Sequence, residues 1–134
     1  MQPTRHRLRL LIVEDEYLIA DQMAKFFAKR GTEVIGFAPT ARKAREIISR
    51  GTQFDVAILD VRLADGDVFP IADMVRKLGA DLVFYTGLEP NKLPERFRTT
   101  MVVSKPEDVD ALYASTMKTC RLSLERTRET ADAQ

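Results

Sequence analysis

The chain has 134 residues, 45% of them hydrophobic, with 21 basic against 20 acidic side chains and a single cysteine. That length suits one domain with one core, and the near-cancelling charge gives no general pull toward nucleic acid or an anionic membrane. Cys120 cannot form an internal disulfide, which fits a reducing cytoplasm; the apolar run behind the basic residues 1–9 is cut off by Glu14-Asp15-Glu16, too soon for a signal peptide or a membrane span.

Residues 8–13 read as a buried strand with Arg9 at its start. Glu16 to Lys29 reads as a helix with Ile19, Met23, Phe26 and Phe27 on one stripe, closed by Gly31. Glu33 to Phe37 is a short second strand. Thr40 is the expected N-cap of a second helix whose Ala44, Ile47 and Ile48 face inward and which Gly51 ends. Asp55 to Leu59 is the third strand, whose Val56-Ala57-Ile58-Leu59 is an apolar run rather than an alternation, the pattern of a central parallel strand. A loop through Asp65-Gly66-Asp67 leads to a third helix with Pro70 in its first turn and Ile71, Val75 and Leu78 inward. Residues 81–85 are the fourth strand. The segment 87–94 holds two prolines and leaves room for a short helix from Pro94 to Arg98. Residues 101–103 are the fifth strand. Glu107 to about Glu125 is a final helix with Val109, Leu112, Thr116 and Cys120 inward, and residues 126–134 form a polar tail. This alternation predicts an α/β fold with a doubly wound, five-stranded parallel sheet and right-handed crossovers.

Four of the apolar runs end on residues that suit phosphoryl chemistry. They deliver Glu14 and Asp15, then Asp60, then Thr86, then Lys105 to one sheet edge, where open α/β sheets bind ligands. Asp60 can attack phosphorus as a carboxylate nucleophile. Adjacent Glu14 and Asp15 are costly to hold together without a cation, and their hard oxygens select Mg²⁺ or Mn²⁺. Lys105 offers a point charge to a phosphoryl oxygen, and Thr86 offers a hydroxyl. Singly, each has a plainer reading: a loop carboxylate at Asp60, first-turn dipole stabilisation at Glu14-Asp15-Glu16, a solvated lysine, a turn threonine before Gly87. Their joint order at four strand ends is what points to a site.

With these residues in view, the chain resembles the receiver domain of two-component response regulators over residues 7–125. Leu11-Ile12-Val13-Glu14-Asp15-Glu16, Ala57-Ile58-Leu59-Asp60-Val61, Thr86 and Lys105-Pro106 carry the resemblance. It implies a flavodoxin-like (βα)5 fold with strand order 2-1-3-4-5 and Asp60 as phosphoacceptor. It implies that Asp15 and Asp60 bind Mg²⁺ (or Mn²⁺) directly, with Glu14 acting through water and the Arg62 backbone carbonyl also contributing. Thr86 and Lys105 are then the phosphoryl-binding pair, and the bond before Pro106 is expected to be cis. Phe84-Tyr85-Thr86-Gly87, with Asp60-Val61-Arg62-Leu63, also resembles an alphaproteobacterial subgroup carrying a Phe-x-Thr-Gly motif.

The resemblance implies a cytoplasmic, stand-alone signalling receiver rather than an enzyme. Its partners would be a sensor histidine kinase or histidine phosphotransferase and a downstream protein, with monomer and homodimer both open and neither nucleic acid nor membrane involved. Val102 stands where the family usually has a switching aromatic, so the irregular segment 88–98 is the expected moving part. Two alternatives use the same residues. One is a Mg²⁺-dependent phosphohydrolase with an aspartyl-phosphate intermediate, opposed by Arg62 where a second acid is common. The other is a phosphate-independent interaction module.

Overall fold

The computed structural model describes residues 7–105 and 108–132. In chain order these form β1 (Arg9–Val13), α1 (Tyr17–Lys29), β2 (Glu33–Ala38), α2 (Ala41–Ser49), β3 (Val56–Leu59), β4 (Arg62–Leu63) and β5 (Gly66–Asp67). There follow α3 (Phe69–Lys77), β6 (Asp81–Thr86), β7 (Met101–Ser104) and α4 (Val109–Asp132). Five strands pair in the order β2-β1-β3-β6-β7, all parallel. With the small β4–β5 hairpin set aside, this is the expected 2-1-3-4-5 order.

Strand alternation divides the core into two layers. Leu11, Val13, Ala57, Leu59, Leu82 and Phe84 meet Ala44, Ile47 and Ile48 of α2 and Ile71, Ala72 and Val75 of α3. Leu10, Ile12, Val56, Ile58, Val83 and Tyr85 meet Ala20, Met23 and Phe27 of α1 and Leu112 and Cys120 of α4. Every residue of β3 is buried, as its unbroken apolar run requires of a strand covered on both faces. The wide helix-bearing layers leave the carboxyl ends of β1 and β3 open between the two directions of winding.

The fourth crossover contains no α-helix. The short helix expected at Pro94–Arg98 is a single 3-10 turn, Glu95–Phe97 capped by those two residues, and a second, Pro90–Lys92, precedes it. Each proline lacks an N–H and disfavours the helical region for the residue before it; Glu89 and Leu93 are accordingly extended. Side-chain packing does the anchoring instead. Phe97 is fully buried, stacked on Phe69 at 5.7 Å and edge-on to Phe84 at 5.5 Å. Arg96 grips Asp73 of α3 through two bonds of 2.9 and 3.0 Å. Arg76 of α3 donates to the Arg96 carbonyl and to Thr100 Oγ1.

Three local expectations change. Leu78 is not in the third-helix core: it is the C-cap of α3 and 59% exposed, because the helix ends one residue before it. The loop after Asp60 is an antiparallel hairpin, pairing Arg62 with Asp67 and Leu63 with Gly66. The last helix continues beyond the boundary near Glu125, to Asp132. Its expected start at Glu107 lies outside the described residues, as does Pro106.

Candidate functional site

Asp60 follows β3 directly, and its amide donates to the Val13 carbonyl at 2.9 Å. That bond joins the ends of β1 and β3 and sets Glu14, Asp15 and Asp60 side by side. Lys105 follows β7; its amide donates to the Thr86 carbonyl at 2.9 Å, which joins the ends of β6 and β7 in the same way. The backbone ladder therefore brings together the residues that the sequence scatters over ninety positions.

The side chains converge. Lys105 Nζ lies 2.7 Å from Glu14 Oε1 and 3.0 Å from Asp60 Oδ2. Glu14 is almost fully buried and Asp60 nearly so, while Asp15 is exposed. Oxygens of the three carboxylates lie within 4.8 Å of one another. Glu14 Oε2 accepts from the Glu16 amide at 3.2 Å. Its Oε1 is held by the Lys105 ammonium as an ion pair. Thr86, also buried, accepts from the Leu88 amide through Oγ1 at 3.2 Å. Arg62 sits on the hairpin at the rim. With Asp15, Glu16, Asp60, Thr86, Gly87, Leu88 and Lys105 it lines an open crevice of about 510 Å³.

The electrostatics of this crevice are unbalanced. Burial pushes the Glu14 carboxyl up to about 7, and the neighbouring Asp60 adds to the rise, while Lys105 and the Glu16 amide oppose it. Burial works against the charge of Lys105, but Glu14 and Asp60 outweigh it and hold the ammonium above the ordinary lysine value. One ammonium against three carboxylates leaves an acidic, oxygen-rich site. A hard divalent cation fits that donor set.

Of the six residues singled out in the sequence, Asp15, Asp60, Arg62, Thr86 and Lys105 line one crevice, and Glu14 is buried beside it against Lys105. The sequence did not show how burial would divide adjacent Glu14 and Asp15: the first turns into the core and the second out to solvent. It also missed Asp65, whose carboxylate leaves the hairpin to cap α2; the Asp-Gly pair carried only a turn signal.

Fold and site together define a doubly wound parallel α/β protein with an acidic, lysine-bridged crevice at its topological switch point. The response regulator receiver domain model matches residues 10–116, and the chain belongs to that family, a signalling domain of two-component systems rather than a conventional enzyme. Over 92 residues it is 33% identical to the phyllosphere-induced regulator PhyR of Methylorubrum extorquens, a match covering 67% of this chain and 33% of PhyR. The chain thus matches about a third of that longer relative's length. SdrG from Sphingomonas melonis Fr1 is 31% identical with a TM-score of 0.72, over 85% of this chain and 96% of SdrG. A CheY-like receiver from Methanospirillum hungatei JF-1 shares the fold at a TM-score of 0.79 and 22% identity, over 90% of this chain and 99% of that one. No helix among the described residues is long and apolar enough to cross a membrane.

Proposed function

We propose that the chain is a phosphoacceptor: Asp60 takes a phosphoryl group from a histidine kinase or histidine phosphotransferase, and the acyl phosphate is the signal. The observation that carries this reading is Lys105 Nζ within 3.0 Å of both Glu14 and Asp60 at the edge where Thr86 also ends. An Asp60 oxygen attacks phosphorus, and the phosphohistidine N–P bond breaks as the imidazole leaves. Lys105 and the Thr86 hydroxyl hold phosphoryl oxygens. Asp15 and Asp60 would hold Mg²⁺ (or Mn²⁺) directly, with Glu14 through water and the Arg62 carbonyl contributing. The cation would neutralise charge between a carboxylate nucleophile and an anionic phosphoryl group.

Residues 7–125 form the receiver unit in this reading, and α4 runs on past it to Asp132. The setting is cytoplasmic, and output passes by protein docking or onward phosphotransfer. Thr86 couples the site to the fourth crossover, because one hydroxyl serves both the Leu88 amide and a phosphoryl oxygen. The moving part is narrower than the expected 88–98. Residues 94–100 are bolted to α3 through Asp73, Arg76 and Phe97, whereas Gly87 and 89–92 are exposed between the anchors Thr86 and Leu93.

Incubation with acetyl phosphate and Mg²⁺, followed by intact mass, tests the reading. A single phosphoryl adduct that persists for minutes and vanishes in Asp60→Asn is the expected result. Continuous turnover of acetyl phosphate would indicate a phosphohydrolase, and no reaction would indicate a phosphate-independent module; either would overturn it.

A further inference from the structure

The hairpin that carries Arg62 is tethered by one residue at its tip. Asp65 is solvent-exposed, yet its carboxylate accepts from two consecutive amides of α2, Ala41 at 2.9 Å and Arg42 at 3.0 Å. These are among the orphan N–H groups of the first helical turn, which attract negative charge. The helix already has its own cap: Thr40 Oγ1 accepts from the Lys43 amide at 3.0 Å. Asp65 therefore adds a bond across 24 positions of sequence rather than supplying a cap the helix lacks. The two α2 amides hold its carboxyl below the ordinary aspartate range.

The other end of this loop is fixed at Asp60. Residues 61 and 68 close it, with the Val68 amide donating to the Val61 carbonyl at 2.9 Å, and both side chains are buried. Between them β4 and β5 are two residues each, too short to be rigid alone. Gly66, at φ +132°, makes the return that a side chain would strain. Among the described residues, the side-chain hydrogen bonds that leave the hairpin for a distant element are those of Asp65. Asp67 bonds only its neighbour, Phe69 N, at 3.1 Å.

We infer that Asp65 is a positioning residue for the phosphoacceptor crevice: by seating the hairpin tip on α2, it fixes Arg62 beside Asp60. Arg62 lines the crevice, and its carbonyl would serve the proposed metal position. Anchoring its backbone lowers the cost of holding a divalent ion, in the way outer-shell partners support first-shell ligands elsewhere. The inference rests on the phosphoacceptor reading above.

Mn²⁺ titration followed by electron paramagnetic resonance tests it on the whole chain, using wild type, Asp65→Ala, Asp65→Asn and Thr40→Ala. The Thr40 variant removes a cap from the same helix without touching the hairpin. Thermal midpoints should fall for both alanine variants. Mn²⁺ affinity should fall on the order of tenfold in Asp65→Ala, less in Asp65→Asn, which keeps one acceptor, and not at all in Thr40→Ala. Amide exchange at Val68 in metal-free protein should quicken only in the Asp65 variants. Equal Mn²⁺ affinity in wild type and Asp65→Ala overturns the inference while leaving the phosphoacceptor reading standing. Equal weakening in Thr40→Ala also overturns it, since α2 stability would then be the cause. Wild type that binds no Mn²⁺ overturns both.

Discussion

At the scale of single residues, burial decides chemistry as much as identity does. Glu14 and Asp15 are adjacent carboxylates, but one is buried against Lys105 and the other exposed. The sequence announced the pair and not the division, because a strand end fixes alternation only once its last paired residue is known. Cys120 gives a second case. It faces the α4 side of the core, and burial, reinforced by Asp81 and Asp55, pushes its thiol up to about 12 from an ordinary 9.0. The thiolate is the nucleophile, so the folded protein should alkylate slowly at pH 8 and react at the ordinary rate once unfolded in urea. The linkage has a sign as well. The folded thiol keeps its proton where the unfolded one loses it, so this group's contribution to stability is intact below pH 9 and is lost as pH rises toward about 12. Urea midpoints of wild type and Cys120→Ala, compared at pH 8 and pH 10, check it: only wild type carries this thiol-dependent part of the loss. Rapid alkylation of native protein would contradict the buried placement.

At the scale of elements, the fourth crossover is where local rules and tertiary packing part company. Pro90 and Pro94 were legible as breakers, and the two 3-10 turns are their consequence. The clamp was not legible. Nothing in the spacing of Phe69, Asp73, Arg76, Arg96 and Phe97 says that a helix and a turn twenty residues apart will meet. Phe97 is the anchor, and Phe97→Ala should cost about 3–5 kcal/mol, the usual range for emptying a buried phenylalanine site. Arg96→Ala should cost far less, since its ion pair with Asp73 is half-exposed on both sides. The two variants separate stability from switching. Hydrogen exchange in Arg96→Ala, with and without the phosphoryl mimic beryllofluoride, should show the response spreading from 87–92 into 94–100. In wild type, it should stop at Leu93. No response in wild type at 87–92 would count against this segment as the output device.

At the scale of the whole molecule, most of the architecture was readable and for one reason. Each parallel strand is covered on both faces, so it must be an apolar run, and each run is followed by punctuation. Val56–Leu59 and Asp81–Thr86 could hardly be anything else once flanked by amphipathic helices. The same geometry made the site readable, because parallel strands place all their carboxyl ends on one edge. What escaped were contacts made by short or exposed pieces, the β4–β5 hairpin above all, whose two-residue strands leave no periodicity to detect. Val102 fits this picture. It is half-buried against the α2–α3 layer, so the strand is satisfied as packing while the family's usual aromatic lever is absent from it. Under the phosphoacceptor proposal, reception and output separate physically: reception would lie on the edge formed by β1, β3, β6 and β7, and output on the segment those strands do not hold.

The central claim is that Asp60 itself carries the phosphoryl group, and reductive trapping addresses it most directly. After reaction with acetyl phosphate and Mg²⁺, borohydride reduces an aspartyl phosphate to homoserine, and peptide mass spectrometry locates the change. Homoserine at position 60, and at no other acidic position, is the expected result. Homoserine at position 15 instead, or unmodified Asp60 in protein that has taken up phosphate, would contradict the account.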